Sequence, residues 1–403
     1  MEHFDVAVVG ARAGGAAAAM LLARQGLRVL LVDRDRYGAD TLSTHALMRG
    51  GVLLLSRWGL LDRIVAAGTP PVRQTRFHYD TETAIVSIKP RLGVEALYAP
   101  RRSLLDAVLV DAARAAGAEV RFGVTVTGLL RDDSGRVAGV LGRDREGASV
   151  TVRARLTVGA DGRRSTVARA AGARTLRTGT GAGAVVYGYW TGLETSGYEW
   201  FYRPGHTAGM IPTNDGQVCV FAGMPAAVFA AGAGGDGVGG RVNGKANGGR
   251  MSSGRAGGGL HGRYHRMLAD ATNGAGGRLA AAEPPRRLRT WVGRPGFIRE
   301  AQGPGWALVG DAGSFVDPLS SHGITDALRD AEWLALAVAS AGEPGSVPGA
   351  FAAGRDRVMG PIHDAADRIA AYDWDMPRVR RHLMELNSAM SAEVESIGAT
   401  GAG

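Results

Sequence analysis

The sequence contains a single cysteine, Cys219, in 403 residues. One thiol excludes an intrachain disulfide and any all-cysteine metal site. Lysine is scarce as well: Lys89 and Lys245 are the two exceptions among 47 basic residues, the rest being arginine. No apolar run approaches 18 residues, so no membrane-spanning helix is expected. The opening MEHFDVAVVG has no basic segment ahead of an apolar one, so no signal peptide is expected and the chain is read as cytoplasmic. The arginines alternate with acids, as at Asp33-Arg34-Asp35-Arg36, and no basic stripe is interleaved with aromatics. The net charge of +9 is therefore read as an arginine-rich solvated surface rather than a nucleic-acid footprint. His261 and His265 stand four apart but have no acidic partner at motif spacing, and no metal is expected.

What the chain has in abundance is alternating local structure. Residues 4–9 read as a buried strand, followed by glycines, an alanine-rich helix to about Gln25, and a second buried strand ending at Asp33. That is a βαβ opening and implies a parallel sheet. Residues 45–67 and 102–116 read as helices, and strands are predicted near 119–127, 136–142 and 149–159. Residues 183–223 alternate in period two, which predicts an antiparallel sheet distinct from the parallel one. Residues 231–259 are about half glycine and are read as a flexible insertion. A strand at 306–309 leads to a helix from about Gly323, and helices broken at Pro361 and Pro377 are predicted over 349–396.

Three segments carry chemistry. The first is Gly10-Ala11-Arg12-Ala13-Gly14-Gly15. A dinucleotide fingerprint wants glycine at the first, third and sixth places: for the turn, for pyrophosphate approach, and for helix–strand packing. Gly10 and Gly15 fit, Arg12 departs, and Gly14 supplies slack; an arginine there could compensate by placing its guanidinium near phosphate. Asp33 closes the next strand, where an acid accepts from a ribose hydroxyl. The second segment is Asp161-Gly162 after a strand, with Ser165 and Arg169 beyond. The third is Gly310-Asp311, followed by Pro318, Gly323 and Ile324. An aspartate at a strand's end before a glycine-lined helix start suits a polyol chain, and the helix N-terminus favours anionic charge.

In that order the three segments resemble the FAD-dependent monooxygenase family that includes para-hydroxybenzoate hydroxylase, geranylgeranyl reductases and flavin-dependent halogenases. The resemblance covers about 4–174 and 287–340. It implies an α/β fold: a Rossmann-like FAD-binding domain over 1–72, 101–174 and 287–345, with an inserted antiparallel-sheet substrate domain over 73–100 and 175–286. Helices over 346–403 complete the chain. It implies FAD with Gly10, Arg12, Gly14 and Gly15 at the pyrophosphate, and Asp33 and Arg34 at the adenosine. Arg102, before Leu105-Asp106, would meet the phosphate or ribityl region, and Val126 would lie beside the adenine. Asp161 and Gly162 would serve FAD or a passing nicotinamide cofactor, or form a hydrogen-bonded structural turn. Gly310 and Asp311 would hold the ribityl chain, and Pro318, Gly323 and Ile324 would border the isoalloxazine. His45, which similar proteins place near the flavin, and His322 are the candidate catalytic residues; a helix-start cap and a buried loop histidine are the plainer readings of each.

The implied activity is monooxygenation of a small organic substrate with NAD(P)H and O2 through a flavin C4a-hydroperoxide. One fingerprint only is present, so NAD(P)H would bind transiently or a separate flavin reductase would supply electrons. The alternatives are C=C reduction as in geranylgeranyl reductase, halogenation, and a non-enzymatic flavin-binding protein. For halogenation, the places of a W-x-W-x-I-P segment aligned on Ile211-Pro212 hold Thr207 and Gly209.

Overall fold

A computed structural model describes residues 2–232, 259–273, 275–342 and 346–400. The predicted glycine-rich insertion lies largely outside the described residues.

Strand Glu2–Val9, helix Ala13–Arg24 and strand Val29–Asp33 form the expected βαβ opening. They begin an eight-stranded sheet in which Trp306–Leu308, Ser149–Gly159, Glu2–Val9, Val29–Asp33 and Glu119–Phe122 lie side by side in parallel. The sequence runs VAVV and VLLV in the third and fourth of these strands lack alternation because both faces are covered. Strands Thr125–Arg131 and Val137–Arg143 extend the sheet as an antiparallel ribbon. The expected single strand near 119–127 is in fact two, separated at Gly123, whose φ is +82°.

The register aligns the carboxyl ends of the parallel strands. Val9 sits opposite Val32 and Gly159, and Leu308 opposite Gly159. Gly10, Asp33, Asp161 and Gly310 therefore leave the sheet at one edge, where open α/β sheets bind ligands.

The second sheet has seven strands, in the order Arg289–Val292, Gly183–Thr191, Gln217–Pro225, His206–Pro212, Tyr198–Arg203, Gln74–Tyr79, Glu82–Ser87. All pairings are antiparallel except Tyr198–Arg203 with Gln74–Tyr79. Its period-two pattern divides the side chains. Val186, Trp190, Phe201, Met210 and Val220 pack with helix Leu260–Ala271, while Tyr187, Trp200, Ile211, Cys219 and Phe221 join the core shared with the parallel region. Strand Arg289–Val292 belongs to this sheet although it falls within the third segment that the resemblance gave to FAD.

Two helical expectations change. Residues 45–67 divide into helices Arg49–Arg57 and Leu61–Ala66, because Gly59 takes φ +74° between them. Pro361 does not break its helix: Gly349–Ala370 runs through it. The ring and the i−4 residue Arg357 are both exposed, so the carbonyl that loses its donor can reach water. The break comes at 371–375, and helix Met376–Thr400 then packs back against helices Arg49–Arg57 and Gly349–Ala370.

Candidate functional site

The glycines of the first motif are dictated by contact. Gly10 has φ +104°, and a Cβ there would stand 2.4 Å from the Ala160 carbonyl oxygen. A Cβ on Gly15 would stand 1.8 Å from the Gly10 carbonyl oxygen. Gly14 faces Ala327 and Val309, with Ala327 Cβ 3.3 Å from where its own Cβ would be, so the fingerprint helix also packs tightly on helix Gly323–Ser340. The first N–H groups of helix Ala13–Arg24 are left for an anion. The Arg12 guanidinium, however, is occupied. It donates to the Ala39 carbonyl at 2.6 Å and pairs with Asp35 at 3.0 Å and Asp106 at 3.3 Å. It ties the loop after Asp33 to helix Arg102–Ala115, rather than serving as a free phosphate ligand.

Asp33 accepts from the Ala11 N–H at 2.6 Å and the Asp35 N–H at 2.7 Å, bracing the turn. Arg34 beside it is exposed. Val126 is buried among Leu30, Val32 and Val140. Val124, which the sequence reading passed over, is the one whose N–H bonds the Asp33 carbonyl, at 2.9 Å. Arg102 clamps Asp106, with Nη2 at 2.9 Å and 3.1 Å from the two carboxylate oxygens. Asp161 accepts from the Ser165 hydroxyl and the Thr166 and Val167 N–H groups, so it caps helix Thr166–Ala171; this is the structural-turn reading.

Asp311 differs from the other acids. Among the described residues no hydrogen bond reaches its carboxylate, which lies 3.8 Å from where a Cβ on Gly323 would be. Burial pushes its pKa up to about 6; Asp326 reinforces this, while Arg102 and Arg163 oppose it. Gly310 turns at φ +58° with its N–H on Asp330 at 3.0 Å. Pro318 starts a short turn capped by Asp317, which also accepts the Gly183 N–H at 2.9 Å and so joins the turn to the antiparallel sheet. A half-buried carboxylate without a donor, beside two glycines and a helix N-terminus, fits the hydroxyls of a ribityl chain.

His45 is buried at 1% exposure and strained at φ +70°. Its Nε2 is 2.6 Å from the Tyr189 hydroxyl, and its Nδ1 is buried without a partner. Burial holds the imidazole well below its ordinary pKa, and Arg101, Arg102 and Arg289 add to this, so it is neutral. Arg101 lies over the Tyr189 ring at 3.4 Å and donates to Gln217 at 2.5 Å. Tyr187, two residues from Tyr189 on the same strand face, accepts the Ser43 N–H at 3.0 Å. The sequence reading missed Arg101, Tyr187 and Tyr189. The period-two pattern of 183–191 put both tyrosines on one face, and that was the available signal.

His322 is placed elsewhere. Its Nε2 bonds Glu393 of the C-terminal helix at 2.5 Å, and Glu393 also pairs with Arg329, whose other partners are Asp326 and Asp330. Arg329, Asp330 and Glu393 are fully buried. The ring-side role expected of His322 gives way to a buried ion cluster, because the C-terminal helix folds onto helix Gly323–Ser340. His322, Asp326 and Glu393 could together approach a cation, but Arg329 already occupies that position.

Residues 3–222 match the family described as FAD binding domain. The chain belongs to that family. It is a flavin-dependent oxidoreductase, and its cofactor is FAD. The menaquinone reductase of Mycolicibacterium smegmatis is 30% identical over 353 residues, covering 84% of this chain and 77% of that protein. The digeranylgeranylglycerophospholipid reductase of Methanocella arvoryzae is 32% identical over 179 residues, 43% of each chain. The tetracenomycin B2 monooxygenase-dioxygenase of Streptomyces olivaceus is 30% identical over 207 residues, 45% of this chain and 38% of that one. The match thus spans under half the length of the last two relatives. Among solved structures, the flavin-dependent brominase Bmp2 superposes with a TM-score of 0.77 at 18% identity, over 99% of this chain and 94% of that one; this likeness is one of fold. Among the described residues, no helix is long and apolar enough to cross a membrane.

Proposed function

We propose that this flavoenzyme is a monooxygenase that takes electrons from NAD(P)H, directly or through a separate flavin reductase, and inserts one oxygen atom of O2 into a small organic substrate. The observation that carries this reading is the state of His45. It is neutral and buried, bonded at Nε2 to Tyr189, and surrounded by Arg101, Arg102 and Arg289. A neutral imidazole can accept a hydrogen bond at Nδ1 from the O–H of a substrate, and the neighbouring guanidinium groups favour the anionic form of that group. An electron-rich oxyanion is the form of an aromatic or enolic substrate that accepts an electrophilic oxygen.

FAD, held by Gly10, Gly14, Gly15, Asp33, Arg102, Asp311 and the first turn of helix Gly323–Ser340, supplies the redox chemistry. The protein's part is to orient the ring, exclude water and manage the proton. Asp161 supports the site through the helix it caps.

A second reading, reduction of a C=C bond, is favoured by the match over most of the chain to a protein called a reductase. The two separate in labelled oxygen. Incorporation of one labelled atom into the product, with NAD(P)H oxidation dependent on O2, supports monooxygenation. An unlabelled product two hydrogens heavier, formed without O2, would establish reduction instead.

A further inference from the structure

Three arginines act on His45, and two of them are matched by acids. Arg102 is clamped to Asp106, and Arg289 donates to Asp40 at 2.5 Å. Arg101 is the exception. Among the described residues its guanidinium meets no carboxylate: it donates to the neutral Gln217 side chain, lies on the Tyr189 ring, and leaves Nε buried without a partner. Its position is fixed by the backbone, because its own N–H donates to Asn214 at 3.0 Å and Asn214 is in turn bonded to Ala67 and Thr69. A half-buried cation without a counter-ion is costly unless a ligand supplies the charge.

Its neutral partner Gln217 forms part of a groove wall. Gln217, the residue that Arg101 holds, lines a groove of about 680 Å³ with Pro70, Glu194, Thr213, Val218 and Arg278. From that groove the contacts run without interruption: Gln217 to Arg101, Arg101 over Tyr189, Tyr189 to His45. The guanidinium thus links the groove wall at Gln217 to the Tyr189–His45 pair.

We propose that Arg101 is the specificity-determining residue of the site and that it selects a planar conjugated oxyanion, exchanging Gln217 for the anion's oxygens. The inference rests on the reading that places the reacting substrate beside His45. A fork of N–H donors matches a carboxylate in two bonds and a phenolate or enolate in one, and a guanidinium held flat on the Tyr189 ring presents that fork in one plane, which suits a planar conjugated anion.

The test is calorimetric titration of the FAD-loaded enzyme with benzoate and with 4-nitrophenolate, each beside its neutral counterpart, benzamide and 4-nitroanisole. At least one anion should bind about tenfold or more tightly than its neutral partner. Arg101→Gln should erase that preference and Arg101→Lys should keep part of it. Preference within the benzoate pair alone assigns a carboxylate; preference within the nitrophenolate pair alone assigns a phenolate or enolate. Equal binding in both pairs, failure of both anions to bind, or a preference that survives Arg101→Gln overturns the proposal. So does a loss of FAD from Arg101→Gln with anion preference intact, since that assigns the guanidinium to the cofactor. The titration reads binding and not turnover. An enzyme that prefers the anions yet yields an unlabelled reduced product keeps this inference and loses the proposed function.

Discussion

At the scale of single residues, the site trades stability for binding. Asp311 has its pKa raised to about 6, from an ordinary value of 3.8, by burial without a donor. An acid with a raised folded pKa binds its proton more tightly in the folded chain, so the apo-protein loses stability as pH rises from about 4 through 6. Asp311→Asn removes that cost, and the melting temperature of the apo-protein above pH 6 should rise. FAD affinity should move the other way. The ionised carboxylate accepts from ribityl hydroxyls, so the same substitution should weaken FAD by about 1.5–3 kcal/mol. In the unsubstituted enzyme, flavin release followed by fluorescence should increase as pH falls through about 6. Unchanged release across that range would remove Asp311 from the ribityl site. Gly15 has no such latitude. With its Cβ placed 1.8 Å from the Gly10 carbonyl oxygen, Gly15→Val must separate strand and helix, and the purified protein should carry no flavin absorbance.

At the scale of elements, the C-terminal helix is what the sequence reading undervalued. Its Glu393 bonds both His322 and Arg329, and the neighbouring glycines Gly50 and Gly51 leave room: a Cβ on Gly50 would lie 3.0 Å from Thr325 and 3.1 Å from Ile397. Removing one partner of a buried ion cluster leaves charge uncompensated, so Glu393→Gln should cost about 3 kcal/mol or more and lower the melting temperature markedly. The pH dependence has a definite sign. Burial opposes the charge on His322, but Glu393 and Asp326 outweigh it and raise the folded pKa above 6.5. The stabilisation from this pair is complete below 6.5 and is lost as pH rises through the folded value. Unfolding midpoints should therefore fall on the alkaline side, and Glu393→Gln should flatten that decline. The motif-bearing elements were legible because turns, glycines and helix starts are local: Gly10, Asp33, Asp161 and Gly310 all leave the sheet at the edge that the strand pattern implied. The partners of His322 and Arg12 were not, because each depends on a segment brought from elsewhere, whereas those of Asp161 are the local hydrogen-bonded turn that the sequence offered as its alternative. Nothing near His322 in sequence announces Glu393, 71 residues away.

At the scale of the whole molecule, a parallel sheet carries the three motifs at one edge, and the antiparallel sheet packs Tyr187, Trp200 and the partly buried Tyr189 into the core the two sheets share. Among the described residues, the strand pairings and apolar clusters of both sheets join residues outside 233–258. Helix Ala226–Gly232 leads into the glycine-rich insertion and helix Leu260–Ala271 follows it, and the two already touch: Arg263 lies over the Phe229 ring at 3.7 Å and donates to the Phe229 carbonyl. The apolar cluster beneath them joins Phe229 on one side of the insertion to Tyr264, Met267 and Leu268 on the other. Shortening a connection between ends that are already near one another changes closure entropy by well under the stability of a domain, roughly 0.6 kcal/mol for each halving of length. Replacing residues 233–258 by a short glycine–serine linker should thus leave FAD content, the melting temperature and the anion preference at Arg101 unchanged. Measured together on one preparation, those three quantities separate the possible roles of the segment. A drop in melting temperature would make it part of the fold, and a loss of flavin would make it part of the cofactor site. A lost anion preference with flavin intact would place it at the entrance to the groove beside Gln217.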